Sequence, residues 1–394
     1  MDRYLKCRKM TQNQVKGGYS ECINFLRFPL AILVVFVHGF GPEIDVSELH
    51  ANGLNGLAVY DYIRLFFSVV ISSSAVPIFF IISGYLLFKK VEVYNMSVYF
   101  SKLRKRWYSL VVPYFSWIVL FILWILMFKV GGILLHGKPW TGILDYLREN
   151  GYLHMFWDSS IWNERITWFG IKIHNSGPVL LPFWYMRDLM MMVAFSPIIY
   201  WFIKKISFLF IVLLLVIYTF DLSVSWISNT FFSASLFFSI GAYFALKKQD
   251  FTEVLWKWRY LICLTAIILM AYQTYSGSTR GDNISKMIYP WLVIFQSFAF
   301  ILISSKLCKY SKLYELCIKL ARTSFFIYAL HPFILKYVIT ITTKMMPRGD
   351  TWYVMSFNYF ISPLVCVGIC IGIFCLMQKF LPRTLEVMVG ERKR

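Results

Sequence analysis

FLRFPLAILVVFVH, residues 25–38, decides the fold. It is an apolar run with Arg27 near its start and His38 at its end. With its flanks it reaches the roughly 20 apolar residues that a membrane-crossing helix needs. Charged and titratable side chains are costly in hydrocarbon, so Arg27 and His38 call for a physical reason.

The whole chain points the same way. Its 394 residues are 58% hydrophobic, 19% aromatic and only 15% charged, whereas a soluble domain carries about 25% charged residues. The apolar residues come in long blocks, which places the chain among integral membrane proteins. A formal charge of +20 in a soluble chain would suggest nucleic acid. In a membrane chain it reads as basic loops on one face of the bilayer, with no nucleic-acid partner. The cysteines are Cys7, Cys22, Cys263, Cys308, Cys317, Cys366, Cys370 and Cys375. None falls in a segment read as extracytoplasmic, so no disulfide framework is expected. Cys366, Cys370 and Cys375 share one apolar segment and read as small packing residues.

Ten segments are apolar enough to be expected as transmembrane helices: about 22–40, 64–88, 108–129, 182–203, 206–221, 226–246, 258–276, 286–305, 321–343 and 352–378. The fifth is short. The first is expected to remain as a helix, since no small-residue cleavage site follows it. With the N-terminus inside, the inner segments hold 27 Lys and Arg, the outer ones nine, and four lie within helices. That asymmetry predicts an all-α, polytopic membrane helix bundle of about ten transmembrane helices with both termini cytoplasmic. The division is a basic N-terminus 1–21, one transmembrane domain 22–378 with an extracytoplasmic loop 130–181, and a basic tail 379–394. The expected location is the cell's inner, cytoplasmic membrane.

Two basic stretches fall on the inner side, KLRKRWYSLVVPYFSW (102–117) and KLYELCIKLARTS (312–324). They suit anionic headgroups of the surrounding lipid bilayer and equally a phosphorylated cytosolic substrate. The outer loop carries Trp140, Trp157, Trp162 and Trp168 with His136, His154 and His174. It reads either as an interfacial aromatic belt or as a platform for sugar rings. Its histidines lack tight metal-ligand spacing, and no metal is expected.

Eleven residues separate Arg27 from His38. At 3.6 residues per turn they fall on one helix face, about 20° past three full turns and about 16 Å apart. Ala31 and Val34 on that face leave room for something narrow, and Pro29 loosens the first turn. His331 lies mid-segment in FFIYALHPFIL (325–335), followed by Pro332. PFWYMRDLMMM (182–192) sets Arg187 and Asp188 side by side. Neighbours on a helix do not face each other, so each is expected to meet a partner from another helix. Arg187 is expected about one turn below the outer surface. In IISGYLLFKK (81–90), Ser83 and Gly84 read first as close-packing residues. No G-x-S-x-G, P-loop, dinucleotide fingerprint or HExxH is present.

The Arg27-x10-His38 pair, FFIISGYLLF (79–88), the basic stretch to Pro113, FWYMRDL (183–189) and SFFIYALHP (324–332) resemble the acyltransferase family 3 membrane proteins, bacterial O-acyltransferases of surface polysaccharides and related glycans. The resemblance runs in order over about 22–340. It implies an O-acetyltransferase that takes an acyl group, most often acetyl, from cytoplasmic acyl-CoA to a hydroxyl of a cell-surface or lipid-linked sugar, in polysaccharide biosynthesis of the cell envelope. Acetyl-CoA would be a donor substrate, with no bound cofactor. Arg27 would orient the CoA, and Arg104 and Arg106 would meet its phosphates. His38 would be the general base, and Arg187 would stabilise an oxyanion or bind an acidic acceptor. Ser83, Trp184, Asp188 and His331 would line the substrate path. Asn24 stands where members often carry an aspartate, so it would hold Arg27 by a hydrogen bond without adding charge. Direct transfer and a transient acyl-histidine are both open. The alternatives are a transporter or flippase of lipid-linked sugars, which the lack of internal repeats disfavours, and a non-catalytic membrane sensor.

Overall fold

The structure is a computed structural model that describes residues 19–39, 41, 44, 46–52, 56–137, 139–149, 152–157, 166–168, 171–173, 177–220, 229–277, 283–345 and 351–391. Cys7, Trp162, His174 and the basic residues before Tyr19 lie outside the described residues. Helix α1 is Tyr19–His38. Its 20 residues span about 30 Å, the thickness of a bilayer's hydrocarbon core. Ile23, Leu26, Leu30 and Val34 face the main core. Val35 faces a second core with Ile327, Leu335, Val338, Cys366 and Cys370. There Cys366 and Cys370 act as small apolar residues.

Helix α2, Leu57–Phe88, changes its winding midway. Leu65–Val70 is π-helical and Ile71–Ser74 is 3-10. Such changes free backbone carbonyls in the interior. The amide nitrogen of Gln296 meets Val70 O at 3.0 Å, Ile71 O at 2.5 Å and Ser74 Oγ at 3.2 Å. Helix α3, Met96–His136, starts at Asn95, whose side chain accepts from Val98 N. A π turn, Trp107–Val111, directly follows Arg106. The helix stops at Gly137 with φ 62°, a left-handed position that suits glycine.

After α3 come an amphipathic helix α4, Thr141–Glu149, and a 3-10 turn, Tyr152–Phe156. A two-stranded antiparallel hairpin follows, β1 Ile166–Trp168 with β2 Ile171–Ile173. Helices α5, Trp184–Ala194, and α6, Ser196–Lys205, meet at a 60° bend. Pro197 sits at the start of α6, where its missing N–H costs nothing. Next are α7, Phe208–Thr219, α8, Asn229–Leu246, and α9, Phe251–Lys257, which turns off α8 by 104°. Asp250 ties α9 to α1, accepting from both Thr252 N and Tyr19 N. The chain closes with α10, Arg259–Tyr275, α11, Asn283–Leu307, α12, Ser311–Ala321, α13, Ser324–Met345, α14, Trp352–Phe380, and α15, Pro382–Val389.

Among the described residues each expected apolar segment is mostly helical, and the chain is an all-α polytopic membrane protein apart from the small hairpin. Among the described residues, six helices are long and apolar enough to cross a bilayer, or up to eight if each bent pair is one span. That falls short of the expected ten. The 12 residues of α7 reach only about 18 Å, well under a hydrocarbon core of about 30 Å.

The tightest contact joins α2 and α8. A Cβ on Gly84 would lie 2.0 Å from Phe238 O, and one on Gly241 would lie 1.9 Å from Ile81 O. The two backbones touch, as small residues allow between membrane helices. This fixes the wall that carries Ser83.

Candidate active site

His38 is the last residue of α1, and its exposed ring lies 5.1 Å from the ring of His331 on α13. His331 is fully buried. Its Nδ1 is 3.2 Å from the Ile327 carbonyl one turn back. A nitrogen at that distance from a carbonyl carries the proton, so Nε2 of the neutral ring is an acceptor. That Nε2 is buried without a hydrogen-bond partner among the described residues.

Tyr328 stands one turn before His331, ring to ring at 6.4 Å. Its hydroxyl donates to Pro182 O at 2.5 Å, and its ring stacks on Phe183 at 5.4 Å with a 6° tilt. Tyr328 is in the second turn of α13, about 25 Å along the axis from Met345. The segment before α5 therefore dips deep between the helices. A second dip meets it: Val179 N donates to Met155 O, and Tyr114 of α3 donates its hydroxyl to Phe156 O. The stretch read as an outside loop thus sends two pieces into the core, with Met155 and Leu180 buried. Arg187 follows Phe183 by one turn.

Arg187 and Asp188 are both buried and pair with each other. Arg187 Nε donates to Asp188 Oδ1 at 2.9 Å, and Nη2 lies 2.9 Å from the same oxygen. Arg187 Nη1 donates to Trp157 O at 3.1 Å. Asp188 also accepts from Thr230 of α8. The expected partner from another helix is present for Asp188 in Thr230, and the pairing of the two neighbours with each other is added to it. A long guanidinium can fold back to its neighbour, and burial leaves it no water to prefer. The outside contacts are the Trp157 carbonyl and Thr230.

A second cluster lies one step along α5. Tyr185 OH is 3.5 Å from Ser83 Oγ. Arg27 of α1 and Arg106 of α3 are half-buried, within electrostatic reach of the Tyr185 hydroxyl, and Arg106 within reach of Arg27. Neither arginine has a carboxylate partner among the described residues. Tyr185 lies edge-on to Tyr328 at 6.0 Å. It therefore joins this cluster to the histidines.

One turn before Arg106, Lys102 reaches the Leu87 carbonyl. It lines a cavity of about 630 Å3 with Lys89, Lys90, Glu92 and Lys248. Three expected contributors stand apart. Asn24 is exposed and makes no hydrogen bond to Arg27 among the described residues, so it does not hold that side chain. Arg104 is exposed, while Arg106 turns inward. Trp184 is half-buried beside Gly177.

Sequence reasoning missed Tyr185, Tyr328, Tyr114 and, of the four lysines, Lys89, Lys90 and Lys248; Lys102 opens the basic stretch 102–117 that reads as suited to a phosphorylated substrate. The signal for Tyr328 was its place three residues before His331, on the same helix face. That for Tyr185 was its place in FWYMRDL.

The searches of curated proteins and of solved structures return no match. A family model described as an acyltransferase domain matches residues 20–378, nearly the whole chain. It covers α1 with Arg27 and His38 and every element that builds the line between them. The chain therefore belongs to acyltransferase family 3, the integral-membrane O-acyltransferases that act on surface glycans.

Proposed function

We propose that the protein moves an acetyl group from cytoplasmic acetyl-CoA to a sugar hydroxyl presented at the other side of the membrane. The observation that carries this reading is a succession of neighbouring basic, tyrosine and histidine side chains. It runs from the lysine-lined cavity through Arg106, Arg27 and Tyr185 to Tyr328, His331 and His38. Two half-buried cations with no carboxylate partner among the described residues suit an anionic donor. Lys89, Lys90, Lys102 and Lys248 suit its phosphates, with both termini and this basic end in the cytoplasm. The excess of Lys and Arg in the inner segments supports that orientation and a place in the inner membrane.

In the transfer, His38 takes the proton of the acceptor hydroxyl as its oxygen attacks the thioester carbonyl. The C–O bond forms, the C–S bond breaks, and the proton passes to the departing CoA sulfur. The exposed ring of His38 suits that role, because an acceptor can reach it. His331, with Nδ1 held by Ile327 O, positions the His38 ring. Arg187, already engaged by Asp188, shapes the site from behind.

The test is His38→Ala in the intact membrane protein, with mass spectrometry of the glycan. Loss of a general base costs about 10²–10⁴ in rate, so acetate should vanish from the glycan while acetyl-CoA binding and protein amount stay normal. Unchanged acetylation overturns the assignment of His38.

A further inference from the structure

The end of the bundle opposite the lysine-lined cavity carries another pair of cations. A groove of about 530 Å3 runs between α3 and α13 under the amphipathic helix α4. Its walls include Trp124, Phe128, Phe333 and Tyr337, and its lining holds Lys129 and Lys336 but no acidic residue. Neither lysine is in an ion pair among the described residues. Lys129 sits over the ring of Tyr146 on α4, 5.0 Å from its centroid.

Depth makes these charges informative. Lys336 is nine residues short of Met345, so about 13 Å of helix separates it from that end. A lone ammonium exposed at such depth is costly, and intramembrane cations pair with an anion or line a polar path. The groove combines aromatic walls with two ammonium groups, the chemistry that suits a lipid whose headgroup is a phosphate. Its wall at Pro332 and Phe333 directly follows His331 in the chain. A group held at Lys336 is about 7 Å along α13 from His331.

We propose that this groove binds a single-chain lipid phosphate that carries the acceptor sugar. Lys129 and Lys336 grip the phosphate, and the aromatic walls hold the chain. The sugar is thereby delivered to His38 and His331. This deepens the acyltransferase reading of the site and rests on it for the destination of the sugar. The phosphate grip itself does not depend on catalysis.

The experiment uses the full-length protein in detergent and native mass spectrometry. Polyprenyl phosphate is compared with the matching polyprenol, with phosphatidylglycerol as competitor. A charge-assisted contact of about 1.5–3 kcal/mol corresponds to roughly tenfold or more in affinity. The phosphate should therefore bind at least about tenfold tighter than the alcohol. The double variant K129Q/K336Q should bring the two within about twofold, with acetyl-CoA binding unaltered. Equal binding of the alcohol, full retention in the double variant, or ready displacement by phosphatidylglycerol overturns the proposal. Binding as expected with no acyl transfer at all leaves the groove standing and removes the role given to the histidines. Acetylation of a water-soluble glycan with no preference for the lipid phosphate removes the groove proposal alone.

Discussion

Two arginine clusters lie within a turn of each other along α5, and their charges are met in opposite ways. Arg187 is buried against Asp188 and the Trp157 carbonyl. Arg27 and Arg106 are within electrostatic reach of the neighbouring Tyr185 and have no carboxylate partner among the described residues. The first cluster pairs its two charges within the chain, with Asp188 Oδ2 buried and left without a hydrogen-bond partner among the described residues. Under the proposed function, the second is completed by the anionic donor. A buried pair is costly to break and says little about ligands. A half-buried pair of like charges costs stability by itself, and an arriving anion turns that cost into affinity.

Substitutions can break this contrast. The largest effect is expected for Arg187→Ala, which leaves Asp188 as an uncompensated buried charge and should cost about 3–5 kcal/mol of stability. The double variant R187M/D188L, which removes both charges and keeps apolar volume, should recover much of it, as read by thermal unfolding in detergent. If the single change leaves unfolding untouched but stops transfer, Arg187 belongs to the chemistry instead. Arg27→Ala or Arg106→Ala comes next. Each should weaken acetyl-CoA binding by roughly tenfold to a hundredfold, the worth of one charged hydrogen-bonding group at about 1.5–3 kcal/mol. Neither should lower the unfolding temperature, and a clear loss there would make the open cluster structural. A smaller loss, about threefold to fivefold, is expected for Lys102→Gln or Lys90→Gln. Exposed ion contacts are worth about 1 kcal/mol or less, and a titration with added salt should shrink the difference. The smallest effect, within about twofold, is expected for Arg104→Ala, whose side chain is exposed; a loss matching that of Arg106 would mean the wrong arginine has been placed inside.

The contrast between the clusters was only half legible in the sequence. The period of a helix is enough to set Arg27 and His38 on one face, and the apolar blocks are enough for a membrane bundle. The partner of Arg187 was not legible, because the spacing rule describes where side chains start and not how far a guanidinium can bend back. The tyrosines were hidden by number. With 25 tyrosines and 37 phenylalanines in the chain, nothing in composition marks Tyr185 and Tyr328 as the links between the clusters. The dips at 152–157 and 177–183 were missed for another reason. A polar, tryptophan-rich stretch between apolar blocks reads as surface, and only the contacts of Tyr114 and Tyr328 with backbone carbonyls reveal that it enters the core. The span count suffered from bends, since hydropathy sums across the break at Phe195 without registering it.

The backbone contact at Gly84 and Gly241 carries a mechanical consequence. Two helices that already touch cannot be squeezed closer, and no side chain lies between them to rotate aside. The face that bears Ser83 therefore behaves as the fixed jaw of a vice. Any widening needed to admit or release a bulky donor falls to the opposite jaw, where α3 passes through its π turn and α5 hinges on its bend.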